Sequence, residues 1–142
     1  MREMLSKCCF RCDLCLAHRD NIALEDMRQD LSEGWRRFFD LDVPADQICC
    51  DGCMAEGDPH LQDSHCPVRP CVIARGLSNC SECADYPCER IEERLVVFED
   101  LSAGKQLSEQ DRDMFIRPYE NKDRIEALRA ARRASDAQEG TR

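Results

Sequence analysis

Three Cys-x-x-Cys pairs, Cys12/Cys15, Cys50/Cys53 and Cys80/Cys83, punctuate a 142-residue chain, with Cys8, Cys66, Cys71 and Cys88 at short offsets from them. Two thiolates separated by two residues can grip one ion from a single tight turn, whose backbone N–H groups then point at the sulfurs and stabilise their charge. One such pair could be a redox dithiol or chance. Three pairs with satellite cysteines point to metal ligation.

All twelve cysteines fall at or before Cys88. An even count also suits a secreted disulfide framework, so compartment decides between the two readings. Met1 to Lys7 carry no apolar leader segment, and no apolar run approaches membrane-spanning length. The chain therefore reads as cytoplasmic and not membrane-bound, where thiols stay reduced and clustered cysteines serve as ligands.

The chain is the size of one domain with a thin core, since aromatic residues make up 6% of it and charged residues 35%. Metal crosslinks would supply the stability that apolar burial cannot. A structural zinc contributes on the order of 10 kcal/mol of binding free energy coupled to folding. The net charge of −9, deepened by about two charges at each four-thiolate zinc site, disfavours nonspecific binding to nucleic acid or anionic membrane.

Between the cysteine turns the apolar pattern is helical. From Asn21, residues Leu24, Met27, Leu31, Trp35 and Phe38 share one face of a helix that should end near Asp40. Val43 to Asp46 reads as a short helix start before the Cys49 to Cys53 turn, where Gly52 permits a positive φ. Residues 54–70 read as loop, and Cys71 to Arg75 as a helical turn stopped by Gly76. Pro87 at a first helical position, with Ile91, Leu95 and Phe98, predicts a helix over 87–100 with Cys88 in its first turn. Ser108 should cap a helix that Pro118 ends near Ile116, and Lys122 to Ala134 should form a last helix with Ile125, Leu128 and Ala131 inward. No strand signal stands out. The expected fold is mainly α: a small metal-stabilised helical domain over residues 1–134 with zinc-knuckle-like Cys turns, and a disordered tail over 135–142.

Cys8-x3-Cys12-x2-Cys15, Cys50-Asp51-Gly52-Cys53, Cys66 with Val68-Arg69-Pro70-Cys71, and Asn79-Cys80-x2-Cys83-x2-Tyr86-Pro87-Cys88-Glu89 occur in that order. Over roughly residues 7 to 120 this pattern resembles the small Cys-rich bacterial and archaeal family known only as domain of unknown function 3795. The resemblance implies a metal-binding module, usually assumed to hold zinc, with no established activity. The chain departs from the pattern at Cys9, where the family tends to have Gly, and at Cys49, an extra thiol. The candidate ligands are then Cys8, Cys12, Cys15, Cys50, Cys53, Cys66, Cys71, Cys80, Cys83 and Cys88.

Zinc suits paired thiolates from separated turns, at about two ions per chain. An iron–sulfur alternative, a 4Fe-4S cluster, rests on Cys9-x2-Cys12-x2-Cys15, which has the spacing of a ferredoxin cluster loop, with Cys66-Pro67 as a remote Cys-Pro. Cys8-x3-Cys12-x2-Cys15 also has the radical SAM spacing, but this chain is too short for the barrel such enzymes need. Cys71, Cys80, Cys83 and Cys88 lie close enough in sequence to form one site, and Cys12 and Cys15 could join Cys50 and Cys53 in a second. Cys8 and Cys66 are left to substitute in either set or to share a third. His18, His60 and His65 read as solvated loop histidines.

Deaminase, haem-attachment, dinucleotide and P-loop signatures do not occur, so the chain reads more as a non-enzyme than an enzyme, with a catalytic thiol at Cys8, Cys9, Cys49 or Cys66 left open. The basic residues between Arg117 and Arg133 read as a solvated helix face in preference to a nucleic-acid contact. The expected function is a binding or regulatory module with a protein or small-molecule partner. The alternative is an iron–sulfur electron carrier or redox sensor.

Overall fold

The computed structural model describes residues 3–102 and 105–139. The apolar stripe expected on one helix is carried by two. Helix α1 (Arg19–Leu24) starts at His18, whose Nδ1 accepts the Asp20 N–H at 3.1 Å, and ends where Glu25 turns extended. Helix α2 (Arg28–Phe39) restarts after Asp26, whose carboxylate accepts the Arg28 N–H at 3.2 Å. The break leaves Leu24 79% exposed, so the buried face begins at Leu31 and continues through Trp35 and Phe38. Asp40 closes α2 in the left-handed region, with φ 52.

After a 3-10 turn at Ala45–Gln47, the loop expected over 54–70 ends three residues early, because α3 (Val68–Ala74) begins at Val68. Pro70 fits in its first turn, where N–H groups need no helical partner. Gly76 takes φ 68 just past its end. A second 3-10 turn, Cys80–Glu82, carries the third cysteine pair. The helix expected over 87–100 is split into α4 (Glu89–Glu92) and α5 (Phe98–Ser102). Pro87 precedes α4, and Cys88 is its extended N-cap residue instead of lying in its first turn. Between the two helices the Val96 N–H leaves the helical ladder and donates to Asn121 Oδ1 at 2.7 Å.

Ser108 caps α6 (Glu109–Asp111) through its side chain. The helical path then continues as a π turn over Arg112–Ile116 and a 3-10 turn over Arg117–Tyr119, so Pro118 does not end it. Pro118 sits in the first turn of that 3-10 segment, where its missing N–H costs little. The final helix α7 (Asn121–Glu139) extends through residues 135–139, which the sequence reading placed in a tail; residues 140–142 lie outside the described residues. Ile125 is fully buried and Leu128 partly so, but Ala131 is exposed rather than inward.

The structure is mainly helical, with no strand among the described residues, only isolated bridges of Leu5 with Arg11 and of His18 with Cys50. None of the described helices is long and apolar enough to cross a membrane. One apolar cluster gathers Leu31, Trp35, Phe38, Phe115, Ile116 and Tyr119. The other joins Val68, Val72, Ile91 and Ile125 to Cys8, Cys9 and Cys80. The first depends on Gly34, since a Cβ there would overlap the Phe115 ring. Gly34→Ala is therefore expected to lower stability by about 1–3 kcal/mol through overpacking. A urea titration should show a lower midpoint with unchanged slope, and an unchanged midpoint would contradict the packing described.

Candidate metal centres

Every one of the twelve cysteines is a free thiol. The Cys80–Glu82 turn is built by Asn79, whose Oδ1 accepts the Ser81 N–H at 3.0 Å while Glu82 Oε1 accepts the Asn79 N–H at 3.3 Å. The Cys80 N–H donates to the Lys7 carbonyl at 2.8 Å, tying this turn to the N-terminal loop. From α7, Arg132 donates to the Ser81 carbonyl at 2.6 Å and Arg129 to the Cys83 carbonyl at 2.7 Å. Arg75 donates to Cys83 Sγ at 3.1 Å. Burial, and then the neighbouring thiols of Cys88, Cys83, Cys9 and Cys71, push the Cys80 thiol up to about 12. The structure thus brings Cys71, Cys80, Cys83 and Cys88 into one neighbourhood, with Cys9 beside them.

The other turns meet across α1. Asn21 Nδ2 donates to the carbonyls of Asp13 at 2.9 Å and Cys15 at 2.8 Å, which pins the Cys12 to Cys15 turn to α1. The Arg19 N–H donates to the Cys50 carbonyl at 2.9 Å, pinning the Cys50 to Cys53 turn to the start of the same helix. Gly52 takes φ 92, and a Cβ there would lie 2.9 Å from His18 Nε2, so the turn needs glycine for both conformation and space. Cys8, Cys12, Cys15, Cys50, Cys53 and Cys66 line one cavity of about 620 Å³, together with Phe10, Trp35, Phe39, Val96, Leu101 and Tyr119.

Hydrogen-bond donors converge on these sulfurs. Trp35 Nε1 donates to Tyr119 Oη at 3.3 Å, which leaves the phenol hydrogen for Cys15 Sγ at 2.9 Å. Cys15 also receives the N–H groups of Ala17 and His18, although burial raises its pKa overall. The Lys7 N–H reaches Cys53 Sγ at 3.4 Å, and the Cys53 N–H reaches the Cys12 sulfur. Burial and the charges of Cys15, Cys53 and Cys50 push Cys12 up to about 12. The Cys8 thiol donates to Cys66, which lowers Cys66 to about 6 with help from the N–H groups of Arg69 and Val68. The same bond, then burial, raises Cys8. Among the described residues no group of three or more Cys, His, Asp or Glu side chains is drawn together closely enough to hold an ion.

Cys9 and Cys49 stand apart from the ten candidates. Cys9 is fully buried at φ 68, a left-handed conformation that favours glycine, and burial raises its thiol to about 11. Cys49 is half-buried and outside the cavity wall. His60 and His65 are exposed. His18 is 5% exposed and caps α1, so it is not a solvated loop residue.

Two sets of residues escaped the sequence reading. Asn121, fully buried, donates through Nδ2 to the carbonyls of Cys8 and Arg94, both at 2.9 Å. Its only sequence signal is an Asn before a helical pattern, which reads as a cap. The basic stretch is the other set: Arg124 donates to the Cys9 carbonyl at 2.6 Å, and Arg129 and Arg132 hold the Cys80 to Cys83 turn. These side chains reach the cysteine loops, Arg124 and Arg129 half-buried and Arg132 exposed to solvent along part of its length. Their repeat at helical spacing on the turn-facing side of α7 was the available signal.

A family model described as a protein of unknown function (DUF3795) matches residues 4–93, a stretch that holds every cysteine but stops short of the residue 120 reached by the resemblance. Neither a curated protein nor a solved structure matches the chain.

In metal-free, reduced protein at neutral pH, Cys66 should alkylate first, because its thiolate forms from about pH 6, while Cys12 and Cys80 at about 12 should react last. Timed iodoacetamide labelling read by peptide mass spectrometry checks this order. Labelling of Cys80 ahead of Cys66 would reverse the electrostatics described.

Proposed function

Because the chain belongs to the DUF3795 family, whose description carries no activity, we propose that it is a metal-binding protein. In this reading zinc held by cysteine thiolates fastens a helical scaffold that serves as a binding or regulatory module. The supporting observation is the aim of the backbone donors: N–H groups of Lys7, Ala17, His18, Cys53, Val68 and Arg69 point at the sulfurs of Cys53, Cys15, Cys12 and Cys66. A neutral buried thiol gains little from such donors, whereas a metal-bound thiolate gains much. Soft sulfur ligands suit zinc, and in this reading they are shared between two groups of four, Cys71/Cys80/Cys83/Cys88 and Cys12/Cys15/Cys50/Cys53.

Metal would also offset the burial, and then the mutual repulsion, that raise Cys12 and Cys80, by holding the sulfurs as thiolates and releasing their protons. Twelve unpaired thiols fit a reducing compartment, and we assign the protein to the cytoplasm. Bound zinc supplies crosslinks here; the residues around it set the charge and the water exclusion.

Elemental analysis with a visible spectrum on protein purified without oxygen tests the reading. Colourless protein with about two zinc ions per chain is expected, with loss of metal in Cys12→Ser and Cys80→Ser and none in Cys49→Ser. Iron with matching sulfide and a visible band would replace it with the iron–sulfur reading. Removal of the metal should leave the freed thiolates to take up protons and should reduce the far-ultraviolet helix signal; full retention of that signal in metal-free protein would remove the structural role.

A further inference from the structure

Tyr119 closes the 3-10 turn Arg117–Tyr119, 104 positions after Cys15, yet its Oη lies 2.9 Å from the Cys15 sulfur. Trp35 sets the direction of that bond. An indole N–H can only donate, so Trp35 Nε1, 3.3 Å away, obliges the phenol oxygen to accept and leaves the phenol hydrogen to the sulfur. A tyrosine phenol, with an ordinary pKa of about 10, keeps that hydrogen at neutral pH.

The ring has little freedom to turn away. Phe10 and Phe39 meet it edge-on at centroid distances of 5.4 and 5.5 Å, and the side chain is buried. Its backbone is tied to the N-terminal cysteine loop, since the Arg11 N–H donates to the Pro118 carbonyl at 2.7 Å. Residue 119 lies beyond the stretch over 4–93 that the family model matches. The C-terminal part of the chain thus reaches the cysteines with a buried hydroxyl as well as with its clamping arginines.

Resting on the reading that Cys15 is a metal ligand, we propose that Tyr119, oriented by Trp35, is a positioning residue of the metal centre, whose hydroxyl donates to the Cys15 thiolate and holds it on the ion. One sulfur and one donor suffice for this role, whichever cysteines complete the site. A neutral thiol is a weak acceptor, whereas a metal-bound thiolate is a strong one, and donation draws electron density from it. The rings of Phe10, Trp35 and Phe39 that share the cavity lining cannot supply that offset to its charge. Loss of the bond leaves the sulfur richer in electrons and the ion easier to remove.

The test uses the full chain loaded with zinc or with cobalt(II), whose bonds to thiolate absorb in the near ultraviolet. Tyr119→Phe keeps the ring and removes the donor. Zinc affinity, read by competition with a chromogenic chelator, should fall about 10–100-fold, and the thiolate-to-cobalt band should move to longer wavelength. Tyr86→Phe is the control: the chain's other tyrosine packs its ring against Arg129 at 5.0 Å, and its loss should leave the band in place. An equal move in Tyr86→Phe would mark the effect as general and overturn the assignment to Tyr119. The band decides. A Tyr119→Phe chain that binds cobalt with the band unmoved overturns the role whether or not affinity has dropped, because a merely structural contribution lowers affinity alone. That result leaves the proposed function intact, whereas a wild type that binds neither metal removes both. If Tyr119→Phe fails to fold, 3-fluorotyrosine in the Tyr86→Phe chain places a more acidic phenol at residue 119 and should move the band to shorter wavelength; no movement overturns the role.

Discussion

Asn121 is buried to the last atom, and its amide satisfies three backbone groups from two remote segments: the carbonyls of Cys8 and Arg94 and the N–H of Val96. These bonds fix the start of α7 against the N-terminal loop and interrupt the α4 to α5 path. The cavity depends on the same knot, because Cys8 and Val96, both in its lining, are anchored there. An unsatisfied buried amide costs about 1–3 kcal/mol per lost partner, so the arrangement is held by the penalty for leaving it as much as by its bonds.

Arginines perform a similar task on the other cysteine group. Arg129 and Arg132 bind carbonyls of the Cys80 to Cys83 turn, and Arg124 binds that of Cys9. The helix after the last cysteine thereby clamps loops that come before it. In a chain with a net charge of −9, cations placed behind thiols also lessen the cost of making those thiols anionic.

The cysteine turns were legible because their spacing is local: two residues between sulfurs dictate a turn whatever surrounds it. The helical class was legible from the period of Leu31, Trp35 and Phe38, and Gly52 and Gly76 take the positive φ that their turns require. The helix boundaries were not, because they are settled by tertiary partners. Val96 leaves its helix for Asn121, and a π turn packed on Gly34 carries the helical path into a 3-10 turn that holds Pro118. Which site Cys8 and Cys66 belong to was left open for the same reason, since the 57 positions between them say nothing about which loops touch. Cys9 carries a different lesson: it keeps the left-handed backbone of a glycine position while filling the space with a thiol.

Trp35 is the sole tryptophan of the chain, and it stands on the cavity wall with its ring nitrogen bonded to the phenol that in turn bonds Cys15. Indole emission responds to nearby sulfur and to changes in its hydrogen-bond partner. The molecule thus carries a built-in optical gauge: whatever enters or leaves the six-cysteine wall alters the phenol, and through it the light that the protein emits.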